Sequence, residues 1–171
     1  CHFLKLDINI ACTSLQSQKA LEGRGAETRL FIDNFSTCLI DDAYNASPSS
    51  MKAALKDLAS RPETNKVLLL SDMLELGEFS EEMHFALIPD IIDTRPSSVI
   101  LVGSAMSKIG DSLKAFTKVY VCFEMEEVKL FITQVIAESD VILVKGSHGS
   151  GAHLLVTYLK SLHNEEMANV I

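Results

Sequence analysis

The stretch Thr37-Cys38-Leu39-Ile40-Asp41-Asp42-Ala43-Tyr44-Asn45-Ala46-Ser47-Pro48-Ser49-Ser50-Met51 changes character twice. It opens as a short apolar run, closes that run with two adjacent carboxylates, and then starts a helix. Ser47 suits an N-cap because its hydroxyl can accept from the first-turn N–H groups, and Pro48 suits the first helical position, where a missing N–H costs nothing. Apolar residues continue at Met51, Ala54, Leu55 and Leu58 with helical spacing. The stretch therefore reads as strand, polar loop, helix.

The same unit recurs outward from it. Further short runs rich in Val, Ile and Leu lie at 30–32, 67–70, 99–102, 119–123 and 141–144, mostly without alternation, as in strands buried on both faces. Helical spacing returns at Val128, Phe131, Val135 and Ile136, and at Leu154, Leu155, Tyr158 and Leu159. Strand alternating with helix predicts an α/β fold: a Rossmann-like three-layer sandwich with a mostly parallel six-stranded sheet and helices on both faces. Residues 29–33 and 36–42, with Asn34 between them, read as a hairpin that adds one antiparallel strand. Pro89 falls inside the helix expected after Ser80, so that helix is kinked or split. Residues 4–19 read as a weak helical segment, and 21–28, with Gly23 and Gly25, as a linker. The chain lacks an initiator Met and its first strand signal comes near Arg29. It is expected to be a piece of a longer protein, with residues 1–22 ending one domain and 23–171 forming the next.

Composition narrows the function classes. The 171 residues are 47% apolar, enough for a sizeable core. No apolar stretch approaches the ~20 residues that cross a bilayer, and no secretory signal opens the chain, so a soluble cytoplasmic protein without a membrane partner is expected. A formal charge of −8 argues against coating nucleic acid. Between residues 67 and 94 there is no Lys or Arg, which reads first as a solvated acidic face. Cys1, Cys12, Cys38 and Cys122 are too widely spaced for a zinc or redox motif.

In such a fold ligands bind where strands end. The residues there are Asp41, Asp42, Tyr44 and Asn45, then Ser71 and Asp72, Gly103 and Ser104, and Lys145, Gly146, Ser147 and His148. Carboxylates, an ammonium and hydroxyls at a helix start suit magnesium–phosphate chemistry. Gly146 and Gly151 match the outer spacing of a P-loop, but Ala152-His153 stand where Lys and Ser or Thr belong. Gly23-x-Gly25 lacks the third glycine of a dinucleotide fingerprint. His84 and His148 have no second ligand at a metal-binding spacing, so no metal site is expected. No nucleophile signature is present. A phosphoacceptor signalling domain is the rival reading, since Asp41-Asp42, Asp72, Ser104 and Lys145 each end a strand. Gly146 where such domains usually have Pro counts against it.

The residues also carry a resemblance. Asp41-Asp42-Ala43-Tyr44-Asn45-Ala46-Ser47-Pro48-x-Ser50-Met51, then Asp72-Met73-Leu74-Glu75-Leu76-Gly77 followed by His84, then Leu143-Val144-Lys145-Gly146-Ser147 resemble, in order and spacing, the C-terminal domain of the ATP-dependent Mur ligases. The likeness is to the branch that adds D-alanyl-D-alanine. Gly23-Arg24-Gly25 is similar to that family's linker between central and C-terminal domains.

The resemblance implies an amide-forming ligase of peptidoglycan precursor synthesis. ATP phosphorylates the carboxylate of UDP-MurNAc-tripeptide, and the amine of D-alanyl-D-alanine attacks the acyl phosphate. It implies that ATP and Mg2+ are bound mainly by a central domain outside this chain, that the chain's partners are its own N-terminal and central domains, and that the chain alone is inactive. Carried over by position, Arg24, Asp42, Tyr44 and Asn45 face the nucleotide, and Lys145, Ser147 and His148 face the substrate. Ser71, Ala43, Ser47 and His148 depart from the family, which usually has Gly, Ser, Asn and Arg there.

Overall fold

The computed structural model describes residues 7–16 and 20–164. Its elements, in chain order, are α1 (Ile8–Gln16), β1 (Ala26–Ile32), β2 (Phe35–Asp42), α2 (Pro48–Ser60), β3 (Lys66–Ser71), α3 (Ser80–Phe85), α4 (Ile88–Asp93), β4 (Ser98–Val102), α5 (Gly110–Leu113), β5 (Lys118–Cys122), α6 (Met125–Lys129), α7 (Ile132–Ile136), β6 (Val141–Lys145) and α8 (Ala152–Ser161). All six expected strands form, in the order β1-β2-β6-β3-β4-β5, and only the β1–β2 hairpin is antiparallel. No helix among the described residues is long and apolar enough to cross a membrane.

The continuous apolar strands are explained by burial on both sides. Side chains alternate across a strand, so Val67 and Leu69 enter one core while Leu68 and Leu70 enter the other. Ile142 and Val144 part from Val141 and Leu143 in the same way, as do Ile100 and Val102 from Val99 and Leu101. One core is closed by α6, α7 and α8 through Val128, Ile132, Ile136, Leu155 and Leu159. The other is closed by α2, α4 and α5 through Met51, Leu55, Leu58, Ile91 and Leu113.

Connectivity opens a crevice. From β2 the chain leaves through α2 on one face and returns as β3, skipping a position that β6 later fills. From β6 it leaves through α8 on the opposite face. Adjacent strands whose onward connections part to opposite faces leave a gap at their carboxyl ends. Here that gap lies between β2 and β6.

Two local readings need correction. The first strand begins at Ala26, inside the segment expected to be linker, because its pairing with β2 extends to Asp41. The helix expected through Val128 and Ile136 is broken into α6 and α7 at Phe131, whose φ of −137° is not helical. The weak helix expected over residues 4–19 is described as α1, and its flanks lie outside the described residues. The Pro89 reading holds: α3 ends at Phe85, and α4 restarts with the proline in its first turn.

The two ends of α2 are fixed by side chains. Ser47 accepts from the Ser50 N–H at 3.3 Å while Ser50 Oγ accepts from the Ser47 N–H at 2.9 Å, a reciprocal cap. At the other end the buried Lys66 ammonium donates to the carbonyls of Leu58 (2.7 Å) and Arg61 (2.9 Å). Carbonyls at a helix end lack the usual i+4 donor; that of Leu58 also accepts from the Arg61 N–H at 3.3 Å, and a cation there suits the helix dipole. Ahead of β6, Asp140 Oδ2 accepts from the N–H groups of Asn65 (2.9 Å) and Thr64 (3.1 Å), which tie the turn before β3 to the start of β6.

Lys66→Met should lower unfolding stability in urea by about 1–3 kcal/mol, since it removes the ammonium that donates to the Leu58 and Arg61 carbonyls. The Asn65 and Thr64 N–H groups hold the Asp140 carboxyl below its ordinary value, the Asn65 bond contributing most. A depressed folded-state pKa adds stability above the unfolded value, near 3.9, that disappears as pH falls through the folded one. Asp140→Asn should therefore lower the melting temperature at pH 7, and the gap from wild type should close under acid.

Candidate functional site

The parallel pairing of β2 with β6 sets Asp42 opposite Lys145. Lys145 Nζ lies 2.6 Å from Asp42 Oδ2 and donates to the Asn45 carbonyl at 3.2 Å. The lysine is 1% exposed and the aspartate side chain 22%, so the pair forms the floor of the crevice with its acidic partner nearer solvent. An ammonium this deep persists only when paired and hydrogen-bonded. Asp42 is thus fixed in direction and still has carboxylate surface to offer a ligand.

Adjacent Asp41 does not share this site. Strand alternation turns it to the opposite face, where it is buried, lies 3.4 Å from Lys160 of α8 and accepts from the Ala43 N–H. Each carboxylate has its own lysine, which removes the repulsion that two neighbouring acids would otherwise feel. Lys160 was not among the residues singled out in sequence. Its helix position alone gives no sign that it meets a strand end far away in the chain.

Two clefts flank Tyr44. One, of about 450 Å3, is lined by Arg24, Asp42, Tyr44, Asn45, Ser47 and Lys145, among others. All four nucleotide candidates therefore meet in it, and Lys145 joins them. The other, of about 400 Å3, is bordered by Asp41, Tyr44, His148, His153 and Lys160. His148 is exposed and stacks on His153 with ring centroids 4.0 Å apart, while Tyr44 lies 6.2 Å from it.

Ser147 sits differently from the other expected site residues. It is 4% exposed, and its hydroxyl accepts from the Leu74 N–H at 2.9 Å and donates to the Ala46 carbonyl at 3.4 Å. It ties together the loops after β2, β3 and β6. A second tie runs from Ser71 Oγ to Ser150 Oγ (2.6 Å) and on to the Ser147 carbonyl. This crossing needs Gly146, because a Cβ there would lie 1.7 Å from Ser71 Oγ.

The remaining strand-end residues are structural. Asp72 accepts from the N–H groups of Ala105 (3.1 Å) and Met106 (2.7 Å) and from the Ser104 hydroxyl (3.5 Å). Its carboxylate orders the start of the turn after β4, and Lys145 is committed to Asp42, which leaves the phosphoacceptor reading without its central group. His84, wholly buried, accepts from the Met73 N–H at Nε2 (3.0 Å) and faces the Ser80 carbonyl with Nδ1 (2.6 Å), so Nδ1 carries the hydrogen. It fastens the loop after β3 to α3. Among the described residues no group of three or more His, Cys, Asp or Glu side chains could hold a metal ion.

The chain is similar to known proteins over most of its length. Residues 30–148 match the family described as Mur ligase, glutamate ligase domain. The UDP-N-acetylmuramoyl-tripeptide–D-alanyl-D-alanine ligase of Rickettsia prowazekii is 38% identical over 157 residues, which cover 89% of this chain and 33% of that protein. Its counterpart in Escherichia coli is 32% identical over 154 residues, covering 85% of this chain and 31% of that one. A crystal structure of MurF from Acinetobacter baumannii superposes with a TM-score of 0.74 at 25% identity, covering 92% of this chain and 35% of that one. The chain spans about a third of the length of these relatives. The matched segment runs from β1 to the loop after β6 and takes in both partners of the Asp42–Lys145 pair, and on that ground the chain belongs to the Mur ligase family, as its C-terminal, glutamate ligase domain.

Proposed function

We propose that this chain is the C-terminal lobe, from Gly23 onward, of a cytoplasmic ATP-dependent ligase that joins D-alanyl-D-alanine to UDP-MurNAc-tripeptide, with residues 1–22 ending the domain before it. The relatives named for that reaction support the reading. The observation that carries it is the crevice between β2 and β6, where the Asp42 carboxylate is oriented by buried Lys145 and Arg24 stands at the rim.

A cleft of this composition fits a nucleotide. Asp42 offers acceptors to the hydroxyls of a ribose, Lys145 fixes its direction, and the Arg24 guanidinium offers forked donors to phosphate oxygens. Tyr44 and Asn45 wall the same cleft. ATP supplies the phosphoryl group that activates the tripeptide carboxylate, and this lobe contributes position and charge. The carboxylates here suit a cation poorly, because Asp42 and Asp41 are already opposed by lysines. Mg2+ is accordingly assigned, with the γ-phosphate, to the central domain of the ligase. His148, in the neighbouring cleft, is the residue of this lobe best placed for the peptide substrate, with Lys145 and Ser147 acting from beneath as supports.

In the complete ligase, Asp42→Asn should raise the KM for ATP about 10- to 100-fold, the cost of a lost charge-assisted hydrogen bond. Its thermal melt shows whether the fold survives the change. Unchanged KM and turnover in a folded variant would sink the assignment of Asp42. The isolated chain should release no ADP when given ATP, tripeptide and dipeptide together. ADP release dependent on both substrates would refute that.

A further inference from the structure

Arg24 is held firmly by its backbone and freely by its tip. Its N–H donates to the Leu21 carbonyl at 3.0 Å, the preceding Gly23 carbonyl accepts from the Tyr44 N–H at 3.0 Å, and the following Gly25 N–H donates to the Asp41 carbonyl at 2.8 Å. Gly23 has φ +72°, and a Cβ on it would lie 2.8 Å from Tyr44 Cβ. The turn is thus pressed against the end of β2 with Tyr44 directly beneath it.

The side chain then lies across the tyrosine. The Arg24 guanidinium carbon is 4.2 Å from the centroid of the Tyr44 ring. A cation over an aromatic face is attracted by the negative potential there, which narrows the rotamers of an otherwise mobile arginine. Among the described residues no carboxylate or hydrogen-bond acceptor engages the guanidinium, so its donors stay available. Tyr44 is 51% exposed and contributes little to the core. Its ring is a surface platform.

We propose that Tyr44 is a positioning residue that holds the Arg24 guanidinium over the cleft beside Asp42 and Lys145, aimed at phosphate oxygens. This deepens the nucleotide reading given above and rests on it. The flat face of residue 44 is what matters for this role, and its hydroxyl is not required. The guanidinium plane is set before an anion arrives, so less freedom is lost when its donors engage one.

The test is a double-mutant cycle in the complete ligase with ATP as the probe. Tyr44→Leu should raise the KM for ATP about three- to fivefold, the scale of an exposed cation–π contact, with a smaller effect on kcat. Tyr44→Phe should recover most of that loss. In an Arg24→Ala background Tyr44→Leu should add nothing further, because the group that it positions is gone. The proposal is overturned if Tyr44→Leu matches wild type, if Phe is as poor as Leu, or if the leucine penalty persists undiminished without Arg24. If Arg24→Ala itself changes neither KM nor kcat, the phosphate role of Arg24 fails and the proposal falls with it.

Discussion

A single ion pair sets the terms for this domain. Lys145 ends the central strand β6 with an ammonium that is 1% exposed, and such a group is tolerated only opposite a counter-charge and an acceptor. Both come from the end of β2, as the Asp42 carboxylate and the Asn45 carbonyl. That supply requires β6 to be inserted beside β2, which the chain achieves by leaving a place in the sheet between β2 and β3 and filling it last. The strand order and the site are therefore one requirement.

The opposite departures of α2 and α8 follow from the same insertion and account for two clefts. Successive residues on β2 face opposite sides, so Asp41 serves the α8 side and Asp42 the α2 side, each with its own lysine. Tyr44 stands between them. Around this edge, serine hydroxyls from β3 and from the loop after β6 join the loops. The result is an open edge whose backbone is well constrained while Arg24, Tyr44 and His148 remain exposed.

Much of the fold was legible because it depends on local pattern. Each of the six strands announced itself as a short branched apolar run, Ser47-Pro48 marked the start of α2, and Pro89 marked the division between α3 and α4. Membership of the site was legible in outline, since parallel strands bring their ends to one edge. What could not be read were effects of register and distance. Nothing local says that Lys160 will meet Asp41, that Lys66 will close α2, or that Ser147 will be buried between three loops. The break at Phe131 was hidden because helical spacing of apolar residues continues through it. Only the start of β1 at Ala26 was hidden, because the polar first half of an edge strand beside two glycines looks like linker.

The close approach of Ser71 and Gly146 couples two positions far apart in the chain. The Ser71 hydroxyl fills the space that a side chain at 146 would need. The two positions therefore cannot vary independently. A larger residue at 146 requires the Ser71 hydroxyl to turn away, which breaks its 2.6 Å contact with Ser150, or to be lost.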